Sequence, residues 1–286
     1  MSLGLNKTKR RIASVKSTQK ITKAMGMIAS VKLKRCKDRF DESLRYRQEI
    51  RTLMSKCFYY AKNKSNSYLS TKEDAKGILY IVITSNLGLC AGYNANLLKY
   101  AHSIINPEED ELILIGEKGK HHFSRLDSSS PHIIDIPDIG LGASEREAHR
   151  FAYKLLEIWK EKNFKSIRFI YTTYVNSLRF EPTSAEILPI SIDIDLPDYE
   201  AYAPPIFEPT PEEMLQILAP YYVYSSFYNY LAESELSEQS SRRMAMDNAN
   251  DNADELLDKL TIEYNKARQT AITQEIVEVV SGSSNS

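Results

Sequence analysis

Between Leu5 and Lys62 the chain contains no proline and only one glycine, Gly26. Nothing in that stretch ends a helix, and helical spacing continues through Cys36, Phe40, Leu44, Arg47, Ile50 and Met54. One helix of roughly 55 residues would be about 80 Å long. A helix of that length outreaches a compact domain and needs a partner along its course. Its first part is also one-sided in charge. No Asp or Glu precedes Asp38, whereas Lys7, Lys9, Arg10, Arg11, Lys16, Lys20, Lys23, Lys32, Lys34, Arg35 and Lys37 all fall there. The net charge of the 286-residue chain is only -1, so acid elsewhere balances this segment. That balance favours a specific acidic partner over a distributed nucleic-acid surface.

The acid lies at the other end. After the Pro-rich turn "APPIFEPTPEE" a second long helix is expected, with Thr210 as its cap, Pro211 in its first turn and a kink at Pro220. Ala253, Leu257, Leu260, Tyr264, Ala267, Ala271 and Gln274 alternate steps of four and three, a heptad seam. Around it Glu233, Glu235, Glu238, Asp247, Asp251, Asp254, Glu255, Asp258 and Glu263 outnumber Arg242, Arg243, Lys259 and Lys266. A basic helix and an acidic helix at opposite ends of one chain predict an antiparallel coiled coil that projects from the segment between them. Ala, Thr and Gln take seam positions where each larger side chain would contribute about 1.5–3 kcal/mol. The pair is therefore weak by itself, and something else is expected to enclose it.

The middle of the chain reads as strands alternating with helices. "GILYIVIT", "ELILIG", "HIIDI" and "SIRFIYTTYV" are short β-branched runs, separated by helical stretches at Ala91–Ile105 and Ala143–Lys162. The fold class is α/β: a small Rossmann-like domain with a long coiled coil made by the terminal helices. The expected division is a first helix at 1–62, a polar linker at 63–76, the α/β domain at 77–209 and the last helix at 210–286.

Other function classes lack support. Cys36, Cys57 and Cys90 are odd in number and have no CxxC spacing, which argues for buried thiols and against a disulfide framework or zinc site. No apolar stretch approaches the roughly 20 residues of a membrane span. "NLGLCAG" lacks the Lys-Ser/Thr of a phosphate loop, and its glycines are assigned to a tight strand-to-helix turn. His121 and His122 are read as surface residues, without a carboxylate or cysteine at ligand spacing. No catalytic set has supporting context, and no metal or cofactor is expected. Met25, Met27 and Ile28 are read as core-facing, with Met25 at the seam. A basic helix face taken alone is ordinarily a solvated one.

Three separated motifs carry a family resemblance. "KRRIASVKSTQKITKAMGMIASVKLKR" at Lys9–Arg35 and "SEQSSRRMAMDNANDNADELLDKLTIEYNKARQTAITQEIVEVVSG" at Ser237–Gly282 resemble the terminal helices of the γ subunit of F-type ATP synthase. "TSNLGLCAGYN" at Thr84–Asn94 is similar to that family's segment after the first strand. Asn86 and Leu87 stand where the family usually has Asp-Arg, Ala91 replaces a glycine, and Ser283 replaces an alanine.

The resemblance implies a rotor shaft and no chemistry of its own. The coiled coil would stand inside an α3β3 hexamer, with the α/β domain and lower helices on a ring of membrane c subunits and an ε subunit as a further partner. Lys23 and Met25, with Arg242 or Arg243, match residues that face an acidic loop of β. Arg268, Gln269 and Thr273 match a higher β contact. Ile272, Ile276, Val279 and Val280 would occupy an apolar sleeve, and Phe207 and Glu208 would approach the c ring. No transit peptide and no chloroplast-type cysteine insertion are visible, which implies a peripheral protein at the cytoplasmic face of a bacterial inner membrane. A basic coiled-coil nucleic-acid-binding protein is the alternative; it leaves the acidic helix and the apolar C-terminal tip unexplained.

Overall fold

The computed structural model describes residues 2–62, 68–70, 74–126, 131–136, 139–192 and 205–283. Part of the expected linker and part of the Pro-rich turn therefore lie outside the described residues.

The uninterrupted N-terminal segment forms one helix, α1 (Ser2–Tyr60). The C-terminal segment forms another of 73 residues, α5 (Pro211–Ser283), which continues through Pro220. Thr210 caps α5 as anticipated: its Oγ1 accepts the Glu213 N–H at 3.3 Å, and its own N–H donates to the Glu213 carboxylate at 3.3 Å. The chain divides into two compact units, one of residues 1–31 with 242–286 and one of residues 32–241.

In the first unit Leu5, Thr8, Ile12, Val15, Gln19, Thr22, Gly26 and Ala29 of α1 turn away from solvent as a continuous heptad stripe, with Met25 and Ser30 half-buried beside it. Gln19 Nε2 donates to Asp254 at 2.6 Å, and Thr22 Oγ1 donates to Asn250 at 2.5 Å. A Cβ built on Gly26 would lie 3.4 Å from the Cβ of Met246. Numbers rise along α1 as they fall along α5, so the helices run antiparallel. Met246, Ala253, Leu257, Leu260 and Tyr264 form the facing stripe. Ala267 and Gln274, expected in the seam, are exposed. In this register the last turns of α5 lie past the start of α1 and have no facing helix among the described residues.

In the second unit, five strands order as β3-β2-β1-β4-β5. They are β1 (Ile78–Ile83), β2 (Glu111–Ile115), β3 (His132–Ile133), β4 (Ser166–Asn176) and β5 (Arg179–Leu188). The first four pair in parallel and β5 pairs antiparallel with β4. β1 is buried on both sides, which explains its unbroken apolar sequence. Leu79, Ile81 and Ile83 join a core with α4 (Glu145–Glu161) and the neighbouring turns of α1 and α5, centred on Phe151, Trp159, Phe169 and Phe227. Tyr80 and Val82 face α2 (Tyr93–Ile104) and α3 (Glu117–Phe123) through Leu97, Ala101 and Phe123. Ser144 and Glu147 form a capping box at the start of α4. Cys36, Cys57 and Cys90 are buried free thiols.

Candidate functional site

The antiparallel seam of the first unit sorts its side chains into inward and outward sets. Lys23 is exposed and Met25 is half-buried beside the seam. Arg242 is buried, whereas Arg243 is exposed and lies 3.7 Å from Asp247 on its own helix. Because Gly26 faces Met246, Lys23, Met25 and Arg243 come within about two helical turns of one another. Arg268, Gln269 and Thr273 are exposed, and the Thr273 hydroxyl donates to the Gln269 carbonyl at 2.9 Å. Ile272, Ile276, Val279 and Val280 are all exposed, Val279 to 71 %. In the second unit Phe207 is half-buried and packs against Tyr60 with ring centroids 5.5 Å apart, while Glu208 is exposed.

One expectation fails here in an informative way. Met27 and Ile28 do not face the core: they are 66 % and 57 % exposed. Ile21 and Val31 are exposed beside them. These four share a helix face out of phase with the heptad stripe at Gln19, Thr22, Gly26 and Ala29, and that phase was the signal in the sequence. An apolar face left in solvent among lysines is a candidate interaction surface.

The turn after β1 is closed on itself. Thr84 N–H donates to the Ile115 carbonyl and Ser85 N–H to the Asn94 side chain, while Thr84 Oγ1 accepts the Gly119 N–H. Amides used in this way are not turned toward a phosphate. The left-handed positions are Leu89 and Ala91, with φ 60° and 45°, and not the neighbouring glycines. Ala91 therefore holds a backbone conformation that an L-residue does not favour. Ser241 Oγ of α5 donates to the Cys90 carbonyl at 2.7 Å and ties this turn to the long helix.

His122 is not an isolated surface residue. Its Nε2 lies 2.8 Å from that of His102, and burial together with the His102 charge holds its pKa below the ordinary value. Among the described residues no cluster of three or more His, Cys, Asp or Glu is arranged to hold a metal ion. No helix among them is long and apolar enough to cross a membrane.

Two terminal helices paired antiparallel and a layered α/β unit with a mixed five-stranded sheet define the class: an α/β protein with a coiled coil made by its own two ends. The chain belongs to the ATP synthase gamma chain family. The family model described as ATP synthase matches residues 4–285. The chain is 36% identical to the ATP synthase gamma chain of Heliobacterium modesticaldum, covering 98% of both chains. It is 35% identical to that of Clostridium kluyveri, covering 98% of this chain and 97% of the relative. The fold is shared with a chain of the mitochondrial ATP synthase of Euglena gracilis, at TM-score 0.67 and 19% identity over 98% of this chain and 93% of that one. A chain of the central stalk and c ring of the Tetrahymena thermophila enzyme matches at TM-score 0.57 and 23% identity over 80% and 99%.

Proposed function

We propose that this chain is the rotor shaft of a bacterial F-type ATP synthase, converting rotation of a membrane c ring into conformational change at the β subunits of an α3β3 hexamer, or the reverse. The observation that carries the reading is the solvent-facing set Ile21, Met27, Ile28 and Val31 on a helix already paired through its opposite face. Such a face is stabilised only inside a partner's cavity. In this reading Lys23, Met25 and Arg243, with Arg242 behind it, engage an acidic β loop. Arg268, Gln269 and Thr273 make a higher contact, and Ile272, Ile276, Val279 and Val280 turn in an apolar sleeve. Phe207 and Glu208 approach the c ring, and ε binds the shaft from outside. The chain itself turns over no nucleotide. Its place is peripheral, at the cytoplasmic face of the membrane.

Coupling requires each orientation of the shaft to favour one β conformation over the others, since a partner shifts an equilibrium only by its differential affinity. A shaft with unlike faces supplies that difference, and a symmetric one does not. Co-expression with α and β subunits tests the reading. The expected result is a stable complex whose ATP hydrolysis drives rotation of this chain. Failure to associate, together with binding to random duplex that weakens steeply with salt, would favour the nucleic-acid alternative.

A further inference from the structure

Three helices of the second unit meet at a corner, and each contributes a pair four residues apart on one face: Glu42 and Tyr46 from α1, Glu145 and His149 from α4, Tyr224 and Tyr228 from α5. Together they line a cavity of about 380 Å³. The rings pack on one another as an aromatic wall of the cavity. His149 stacks on Tyr224 with centroids 3.8 Å apart, Tyr224 lies 6.0 Å from Tyr228, and Tyr46 meets Tyr224 edge-on at 6.4 Å. Arg39 also borders the space: its guanidinium pairs with Glu235 and hydrogen-bonds the Tyr228 hydroxyl. Glu42 and Glu145 have no ion-pair partner among the described residues, and with Arg39 shared with Glu235 the cavity carries a net negative charge.

We propose that this pocket binds an organic cation, a primary ammonium or guanidinium group, laid against the open ring of Tyr46 with its charge against Glu42 and Glu145. Ring faces attract cations through their quadrupoles. Two flanking carboxylates exclude an anion and add charge-assisted hydrogen bonds for the N–H donors. Burial raises the pKa of Tyr46, Tyr224 and Tyr228, that of Tyr224 to about 12, and Glu145 adds to the rise at all three, opposed at Tyr228 by the Arg39 guanidinium. The cavity accommodates a lysine or arginine side chain from a partner, or a small free amine of the same chemistry. The cation reading does not depend on the rotor assignment.

The isolated full-length chain provides the first test, with n-butylammonium, n-butylguanidinium and neutral 1-butanol as probes in saturation-transfer NMR. Both cations are expected to bind saturably and the alcohol not to. Glu42→Gln with Glu145→Gln, and separately Tyr46→Leu, should weaken the cations about 5- to 30-fold. These positions are largely exposed, and circular dichroism establishes that the variants remain folded. Equal binding of the alcohol, or unchanged cation binding in the glutamine variant, overturns the proposal. The same titration on the assembled complex separates the two sources. Loss of probe binding identifies a partner's side chain as the occupant, and retention identifies a free amine.

Discussion

Gln19 and Asp254, 235 residues apart in sequence, are joined by a 2.6 Å hydrogen bond across the seam. The two ends of this bond differ in burial: Gln19 is buried and Asp254 exposed. Removing the aspartate leaves a buried amide without its acceptor, whereas removing the glutamine returns a carboxylate to water. Asp254→Ala should therefore cost about 1–2 kcal/mol and Gln19→Leu should be neutral or stabilising. Denaturant midpoints of the two variants decide it, and equal losses would show that the bond is not anchoring the seam. The polar pair also fixes the axial register, so Gln19→Leu should broaden amide exchange in residues 12–26 despite its stability.

The left-handed Ala91 makes a second asymmetry measurable. An L-residue there costs about 1–2 kcal/mol, and glycine restores about 0.4–1 kcal/mol of unfolded-state entropy against the gain. Ala91→Gly should be neutral or stabilising by up to about 1.6 kcal/mol, the reverse of the usual alanine-to-glycine effect. Gly116→Ala should cost more than about 2 kcal/mol, because φ is 91° and the new Cβ would sit 2.1 Å from the Thr84 carbonyl oxygen. Thermal unfolding of both variants gives the comparison.

Acid should weaken the second unit through the His102–His122 pair. The unfolded chain takes up the His122 proton near the ordinary 6.5, and the folded chain only at lower pH, because burial and then His102 disfavour the charge. The contribution is intact above 6.5 and is lost as pH falls through the folded value. Glu233 runs the other way. Burial raises its pKa, against the lowering effects of the Tyr174 N–H and Arg47, so its contribution is complete below the ordinary 4.5 and is lost as pH rises through the folded value. His122→Gln should flatten the stability profile as pH falls below about 6.5. A slope unchanged by that substitution would assign the acid sensitivity to other groups.

Much of this architecture was legible in the sequence because it depends on long periodic signals. The absence of proline before Lys62 and the alternating steps along Ala253–Tyr264 required two long helices, and the opposed charges paired them. β1, β2 and β4 were visible as apolar runs buried on both faces. β5 was not, because "RFEPTSAEIL" carries charge and a proline on an edge strand. α3 has seven residues, too short for periodicity to register. Met27 and Ile28 were misplaced because apolar character was weighed without phase. The pocket of Tyr46, His149 and Tyr224 was hidden for a different reason: its pairs lie on three helices that only tertiary packing brings together.

The rotor reading makes its strongest demand on Lys23 and Arg268. Both are exposed, and neither forms an ion pair among the described residues, so their charge is available to a partner. If an acidic β loop meets Lys23 in some orientations of the shaft and not in others, Lys23 contributes to the differential energy that couples rotation to catalysis. Reversing its sign replaces attraction with repulsion at each station of the turn while leaving the catalytic sites untouched. Lys23→Glu should then lower ATP-driven ion pumping more than it lowers ATP hydrolysis, and Arg268→Glu should do the same through the higher contact. Lys165 is exposed on the α/β unit, just before β4, and its reversal serves as the control. Each variant is assembled with its partner subunits in vesicles, and pumping is measured per ATP hydrolysed. Both reversals should depress that ratio, more so at low salt, where exposed charges are least screened. A ratio equal to that of the Lys165 control would mean that the basic face is merely solvated and that coupling resides in the apolar face of Ile21, Met27, Ile28 and Val31.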